Sequence, residues 1–435
     1  MASDAKTGLP ASAVGAGRVA IVQGRIALSF HLVAAEIVKY VLEALGVEVS
    51  ESEAPHEAMF KQLEQGKVDL LIGWPGSHHV YYRSYESELE ALGTLYEPYC
   101  IWGVPDYVPS DVVSSVLDLL KNDVLAKMNR CIQGINAGAG ISRFSQTMIE
   151  QYKLGQAGYY FQAGTQNDCF SAFENALHEK KWCVVPLWHP QYLHHRHSIR
   201  PLADPQGLLG PRDRAVLFVR KEASKRLPPT VLDALKRIYI GNKAVTEMDY
   251  LVNVEKMDPR TAALAWIQNN RTTVDLWLAA SPEERLQLLG ITVPVPPPAV
   301  TSSYEPFRVA SNGLIFTSLQ LPYVGAVMQY RGRIGESLNV DDGYSAARLC
   351  AINVISQLKC AADGDLRRIR LLRVEGHVQG AFGFKDSPQV LNGASDLLNQ
   401  VFQNDGKHCR LALHHVDAPL DAPVMIAVTA ELKTI

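Results

Sequence analysis

Pro294-Val-Pro-Pro-Pro298 divides this chain, and the residues on its two sides read as two modules of different kinds. Proline fixes φ and removes an amide donor, so the stretch favours a stiff extended spacer over a helix or a central strand. The expected organisation is a disordered N-terminus over 1–17, a first domain over 18–290, a proline-rich linker over 291–303 and a second domain over 304–435.

Upstream of the spacer, short apolar strands alternate with amphipathic helices. Val19–Val22 reads as a buried strand, Leu32–Leu45 as a helix ended by Gly46, and Val47–Val49 and Val68–Ile72 as further strands. Strand, helix and strand in succession make βαβ units and therefore a parallel sheet, whose ligand sites lie beyond the C-terminal ends of the strands. Beyond Ile72 comes Gly73-Trp74-Pro75-Gly76-Ser77-His78-His79. A second strand, Trp182–Pro186, runs into Leu187-Trp188-His189-Pro190 within a second lobe expected over about 104–215.

A tryptophan at such a place is either a core anchor or a wall for a cation. Two at equivalent strand ends favour the wall, because aromatic faces attract a weakly hydrated ammonium or guanidinium. Asn136-Ala-Gly138-Ala-Gly140-Ile-Ser142 opens the next helix, and its backbone amides can receive a carboxylate. The His194-His195-x-His197 run is either a metal ligand set or a solvated loop. It has no Cys, Asp or Glu at a matching spacing, so no metal and no cofactor is expected.

These segments resemble the glycine-betaine-type substrate-binding proteins of ABC transporters, a two-lobed α/β family of the OpuAC-like, type II periplasmic-binding-protein kind. The resemblance covers Arg18 to about Trp277 and includes Gly-Lys-Val-Asp-Leu before Trp74, the Gly-Ala-Gly-Ile-Ser turn and Val184–Pro190. It implies Trp74, Trp188, Gly138, Gly140 and Ser142 as ligand contacts, and a small cationic or zwitterionic nitrogen metabolite as ligand. The cleft segments also hold His78, His189 and Asp168, groups able to move protons, which suggests a binding fold put to catalytic use.

Downstream of the spacer the pattern is α+β. Strands are expected at Leu314–Leu321, Ile369–Val378, Arg410–Val416 and Val424–Leu432, with helices at Asp341–Lys359 and Ser387–Phe402. Phe316-Thr-Ser318-Leu-Gln-Leu-Pro322, Arg331–Gly335, Val390–Leu398 and His408-Cys-Arg410 resemble the Rid (YjgF-like, chorismate-mutase-like) family of imine and enamine deaminases. The resemblance implies a homotrimer with pockets between subunits, Arg410 as carboxylate grip, and Ser318 and Asn392 in the same pocket. Met425 and Ala427 stand where the deaminating members carry glutamates, which puts imine hydrolysis at that pocket in question.

Charge narrows the classes. A net charge of -3 with both signs interspersed provides no field for nucleic acid or an anionic membrane. No segment approaches the ~20 apolar residues of a spanning helix, and 1–18 has no signal-peptide core. The seven cysteines form no C-x-x-C pair, as expected for reduced thiols in a cytoplasmic chain. The reading is a cytoplasmic enzyme of specialised nitrogen metabolism, an imine or enamine hydrolase or a cyclodehydratase. The alternative is a non-catalytic binding or sensing protein for a betaine-like solute, trimerised by its second domain.

Overall fold

The computed structural model describes residues 19–296 and 303–433. The expected disorder of 1–17 and the Pro297–Ser302 part of the expected linker lie outside the described residues. Two compact units meet in sequence at Asn270 and Arg271.

The first unit is built on a five-stranded sheet in the order Glu48–Ala54, Ala20–Ile26, Leu70–Gly73, Ala215–Arg220, Leu89–Tyr96. The first three strands are parallel, as the βαβ reading requires. The Ala215–Arg220 strand joins antiparallel to both of its neighbours, so the sheet is mixed and not wholly parallel. Helix Ser29–Ala44 crosses between the first two strands. Its Val33, Ile37, Val38, Val41 and Leu42 are fully buried, the stripe that an apolar spacing of three and four residues produces. Chain 99–201 forms a second group of strands, with Val185–His189 and Ile199–Pro201 antiparallel to Tyr99–Pro105, and Cys131–Gln133 parallel to Tyr160–Gln162.

The strand expected at Trp182–Pro186 is Val185–His189, so Trp188 and His189 are its last two residues. Pro186 lies inside it, which an edge strand tolerates because its missing amide costs no ladder bond. Alternation then sends the two side chains to opposite faces. Trp188 is buried, whereas His189 is half-buried and stacks on Tyr99 with ring centres 5.2 Å apart.

The second unit is a five-stranded sheet in the order Phe307–Val309, Leu314–Thr317, Val424–Leu432, Ile369–Gln379, Cys409–His415. Helices Val340–Ala361 and Ser387–Phe402 supply most of the core against it. Asn339 starts the first of these helices as a capping box with Asp342. Helices Arg271–Leu278 and Pro282–Leu288, which lie within the 18–290 span expected for the first domain, fall in this unit. Leu286 is part of its core, and Arg285 Nε donates to the Val401 carbonyl at 2.6 Å.

Candidate functional site

Three strand ends of the first unit converge on one cleft. It is lined by Leu28 and Phe30 after the first strand, His56 after the second, and Trp74, Ser77 and His78 after the third. Trp188, Cys100, Ile135 and the Ala139–Ile141 turn complete the lining.

Phe30 touches both tryptophans, its ring centre 5.6 Å from Trp74 and 5.5 Å from Trp188. The cleft therefore has three aromatic walls. Trp74 Nε1 donates to the Tyr96 hydroxyl at 3.3 Å, but among the described residues the buried Nε1 of Trp188 has no acceptor. Trp74 precedes helix Pro75–Tyr82, whose proline sits at the first turn, where a missing amide costs nothing. The next amides, of Gly76 and Ser77, donate to the Asp213 carboxylate at 3.1 and 3.0 Å, so that helix start is already occupied.

The start of helix Gly140–Gln151 differs. Among the described residues the amides of Gly140 and Ile141, both in the cleft wall, have no acceptor. A Cβ on Gly140 would lie 3.0 Å from Ser77 Cβ, so glycine allows the helix start to approach this closely. The Gly138 carbonyl accepts from Tyr81 Oη and Arg143 Nη1, which ties the turn in place. Ser142 is fully buried and donates to the Ile135 carbonyl at 3.2 Å. It holds the turn rather than facing the cleft.

Of the three residues expected to handle protons, the structure brings only His78 to the cleft. Asp168 is the third residue of helix Gln166–His178 and closes a capping box with Thr165. The Thr165 amide and hydroxyl hold its carboxyl below the usual range, and it lies outside the cleft lining. His189 is on the far face of its strand beside His194, and burial, His194 and Arg212 lower it to about 4. The His194-x-x-His197 segment is dispersed, with His194 Nε2 3.1 Å from the Trp188 carbonyl and His197 near Glu174.

The sequence reading missed Phe30, His31 and His56. Each follows the C-terminal end of a parallel strand, so the rule that singled out Trp74 would have found them if applied to all three strands. His31, His56 and His78 are 2%, 5% and 2% exposed. Burial depresses all three, His56 to about 4 with a further push from the Arg143 guanidinium, so the rings are neutral. The Cys100 thiol is pushed up to about 12 by burial and provides no thiolate.

In the second unit Arg410 Nη1 donates to Asn392 Oδ1 at 2.9 Å and Ser395 Oγ at 3.2 Å. Ser318 Oγ donates instead to the Pro306 carbonyl at 3.1 Å. Glu375 pairs in register with Ala427, and His377 with Met425, so a carboxylate and an imidazole stand one strand away from the two apolar replacements. His377 Nδ1 meets His415 Nε2 at 2.8 Å, while Glu375 Oε1 is 3.2 Å from His377 Nε2.

This fold is that of a two-lobed, periplasmic-binding-protein-like α/β domain followed by a YjgF/chorismate-mutase-like α+β domain. Residues 19–269 match the substrate-binding domain of ABC-type glycine betaine transport systems, and the chain belongs to that family. Residues 283–432 match the YjgF/chorismate-mutase-like family. The chain is 38% identical over 152 residues to Protein TCP17 of Trypanosoma cruzi, covering 34% of this chain and 92% of that one. It is 29% identical over 157 residues to the glycine betaine/carnitine transport binding protein GbuC of Listeria monocytogenes, spanning 36% of this chain and about half (52%) of the relative. Lactococcal OpuAC in its closed-liganded conformation with glycine betaine shares the fold at a TM-score of 0.54 and 20% identity, over 60% of this chain and 100% of that one. Among the described residues no helix is long and apolar enough to cross a membrane.

Proposed function

We propose that the first unit captures a small zwitterionic nitrogen compound in this cleft. The supporting observation is that the cleft has two chemically opposite ends. Phe30, Trp74 and Trp188 offer aromatic faces to a cation, worth about 2 kcal/mol or more when desolvated. The acceptor-free amides of Gly140 and Ile141 offer donors and the positive end of a helix to a carboxylate. Calorimetric titration of the full chain with glycine betaine, carnitine and choline tests this. Saturable binding with the carboxylated ligands ahead of choline is expected, and no heat with any of the three overturns it.

A second reading, an imine or enamine hydrolase or a cyclodehydratase in the cytoplasm, is favoured by His56 and His78 facing the same cleft. His56 as a neutral ring can accept a proton from substrate nitrogen, whereas His78, whose Nδ1 already accepts from the Trp74 amide, presents an N–H donor; burial makes both weak bases, which ranks binding above turnover. Ammonia release or ring closure that disappears in His78→Ala would reverse that ranking. In both readings the second unit assembles the chain as a trimer, checked by light scattering; in the enzymatic reading Arg410 also grips a carboxylate in a separate pocket.

A further inference from the structure

Three adjacent parallel strands each deliver one histidine to the same spot. His56 follows Glu48–Ala54, His31 follows Ala20–Ile26 and His78 follows Leu70–Gly73, and these strands are neighbours in the sheet. One ring nitrogen from each lies within 4.8 Å of the other two. The ring centres are 5.0 Å apart for His56 and His78, 6.0 Å for His31 and His56, and 6.2 Å for His31 and His78. Three imidazoles on one tetrahedral ion at about 2.05 Å have ring centres roughly 5 Å apart, so this triangle needs contraction by about an ångström on two sides.

His31 is the second observation. Both of its ring nitrogens are buried and, among the described residues, neither has a hydrogen-bond partner. A neutral imidazole always carries one donor and one acceptor, and leaving both unmet in a dry site is costly unless something fills the space. We propose that His31, His56 and His78 form a three-imidazole site for a divalent transition ion of the zinc type, its fourth position open to the aromatic cleft.

The donor set suits the ion. Three histidines with no carboxylate or thiolate select zinc-like metals over calcium or magnesium. A ligand imidazole must be neutral, and burial keeps all three rings so, with Arg143 adding to the effect at His56 and His78. An entry path exists, because His56 also lines the wider, more open cavity with Ser29, Pro55 and Gly164. One contact opposes binding. The Trp74 amide donates to His78 Nδ1 at 3.0 Å, which leaves Nε2 as the nitrogen facing the cluster. A metal on Nε2 moves the ring proton to Nδ1 and gives up that hydrogen bond, one neutral contact exchanged for a coordinate bond.

The test uses the full chain stripped with a chelator and titrated with Zn2+ alone by calorimetry, and with Co2+ by its visible absorption, in the absence of any organic ligand. One equivalent should bind, with the intense visible band of four-coordinate cobalt. His31→Ala, which removes no cleft-lining side chain, should weaken binding on the order of 100-fold or more, while the His194→Ala, His195→Ala, His197→Ala triple variant should bind as wild type. Should His31→Ala fold poorly, His31→Phe keeps the volume, and the melting temperature decides. Zn2+ should raise it in wild type and not in His31→Phe. Absence of stoichiometric binding, or binding that survives the loss of His31 and vanishes in the triple variant, overturns the proposal. Zwitterion binding by the aromatic walls is scored separately, so either reading can fail alone.

Discussion

Replacing Trp188 separates a ligand wall from a core anchor, and the structure indicates that it is both. The ring is 2% exposed and packs 5.5 Å from Phe30 and 6.0 Å from Phe170, so Trp188→Ala should cost about 3 to 5 kcal/mol of stability. At about 2 to 4 °C per kcal/mol for a unit of this size, the melting temperature should fall by roughly 6 to 20 °C. Trp188→Phe is the cleaner variant. It keeps an aromatic face and deletes the buried Nε1–H that has no acceptor among the described residues, a group costing about 1 to 3 kcal/mol, which offsets the smaller ring's lost packing. Its melting temperature should therefore stay close to wild type. Glycine betaine affinity should nevertheless drop by about 1 kcal/mol, or roughly 5-fold, because indole is the better cation partner, and by about 1 to 3 kcal/mol in Trp188→Ala. The assay is calorimetric titration at a temperature where both variants are folded, alongside thermal unfolding. Wild-type affinity in both variants, with only the stability changed, would falsify the claim that Trp188 faces the ligand.

Burial sets a pH dependence. The folded-state value of His56 is about 4 against ~6.5 unfolded, so the unfolded chain gains the proton first and stability is lost as pH falls from about 6.5 to 4, by about 3 kcal/mol from this group alone. His31 and His78 shift in the same direction, and urea unfolding of chelator-treated protein at pH 7.5 and 4.5 should show the loss, smaller in His56→Phe. If His56 faces the ligand, dimethylglycine, which carries an N–H, should bind about 2- to 10-fold more tightly than glycine betaine, and equal affinities count against that contact. In the second unit, Arg410→Ala removes one exposed and one partly buried contact and should change stability by less than about 1 kcal/mol. Loss of an ammonia-releasing activity in that variant would move the chemistry to the second unit.

The two-unit organisation was legible because its signals are local. The helix Ser387–Phe402 and the strand Val424–Leu432 fall where their apolar spacing puts them, the latter with residues 424, 426, 428 and 430 turned to the core. Ala215–Arg220 was not legible as an antiparallel insertion, because the chain makes the 99–201 strands before it returns, and no local pattern reports which side of the first sheet it rejoins. Val185–His189 slid three residues from its expected place because pairing with Tyr99–Pro105, which sets Pro186 opposite Trp102, outweighed proline's reputation as a strand end. His31 and His56 were invisible for a related reason. Each is a lone histidine at a helix start, far along the chain from the next member of the cluster, and only the strand order 48–54, 20–26, 70–73 makes them neighbours.

The same strand order constrains the second unit's chemistry. Arg410 lies on the edge strand Cys409–His415, whereas Ser318 follows Leu314–Thr317, and the strands Ile369–Gln379 and Val424–Leu432 stand between them. At about 4.8 Å per strand that is a separation of roughly 14 Å across the sheet, beyond the reach of one small substrate. Arg410 reaches Asn392 and Ser395 on the neighbouring helix, while Ser318 is bound to the Pro306 carbonyl. A pocket that used both Arg410 and Ser318 would therefore have to take them from different copies of the chain. For this unit, whether a catalytic pocket exists and whether the chain self-associates are a single question, whereas the aromatic cleft of the first unit draws every wall from one chain.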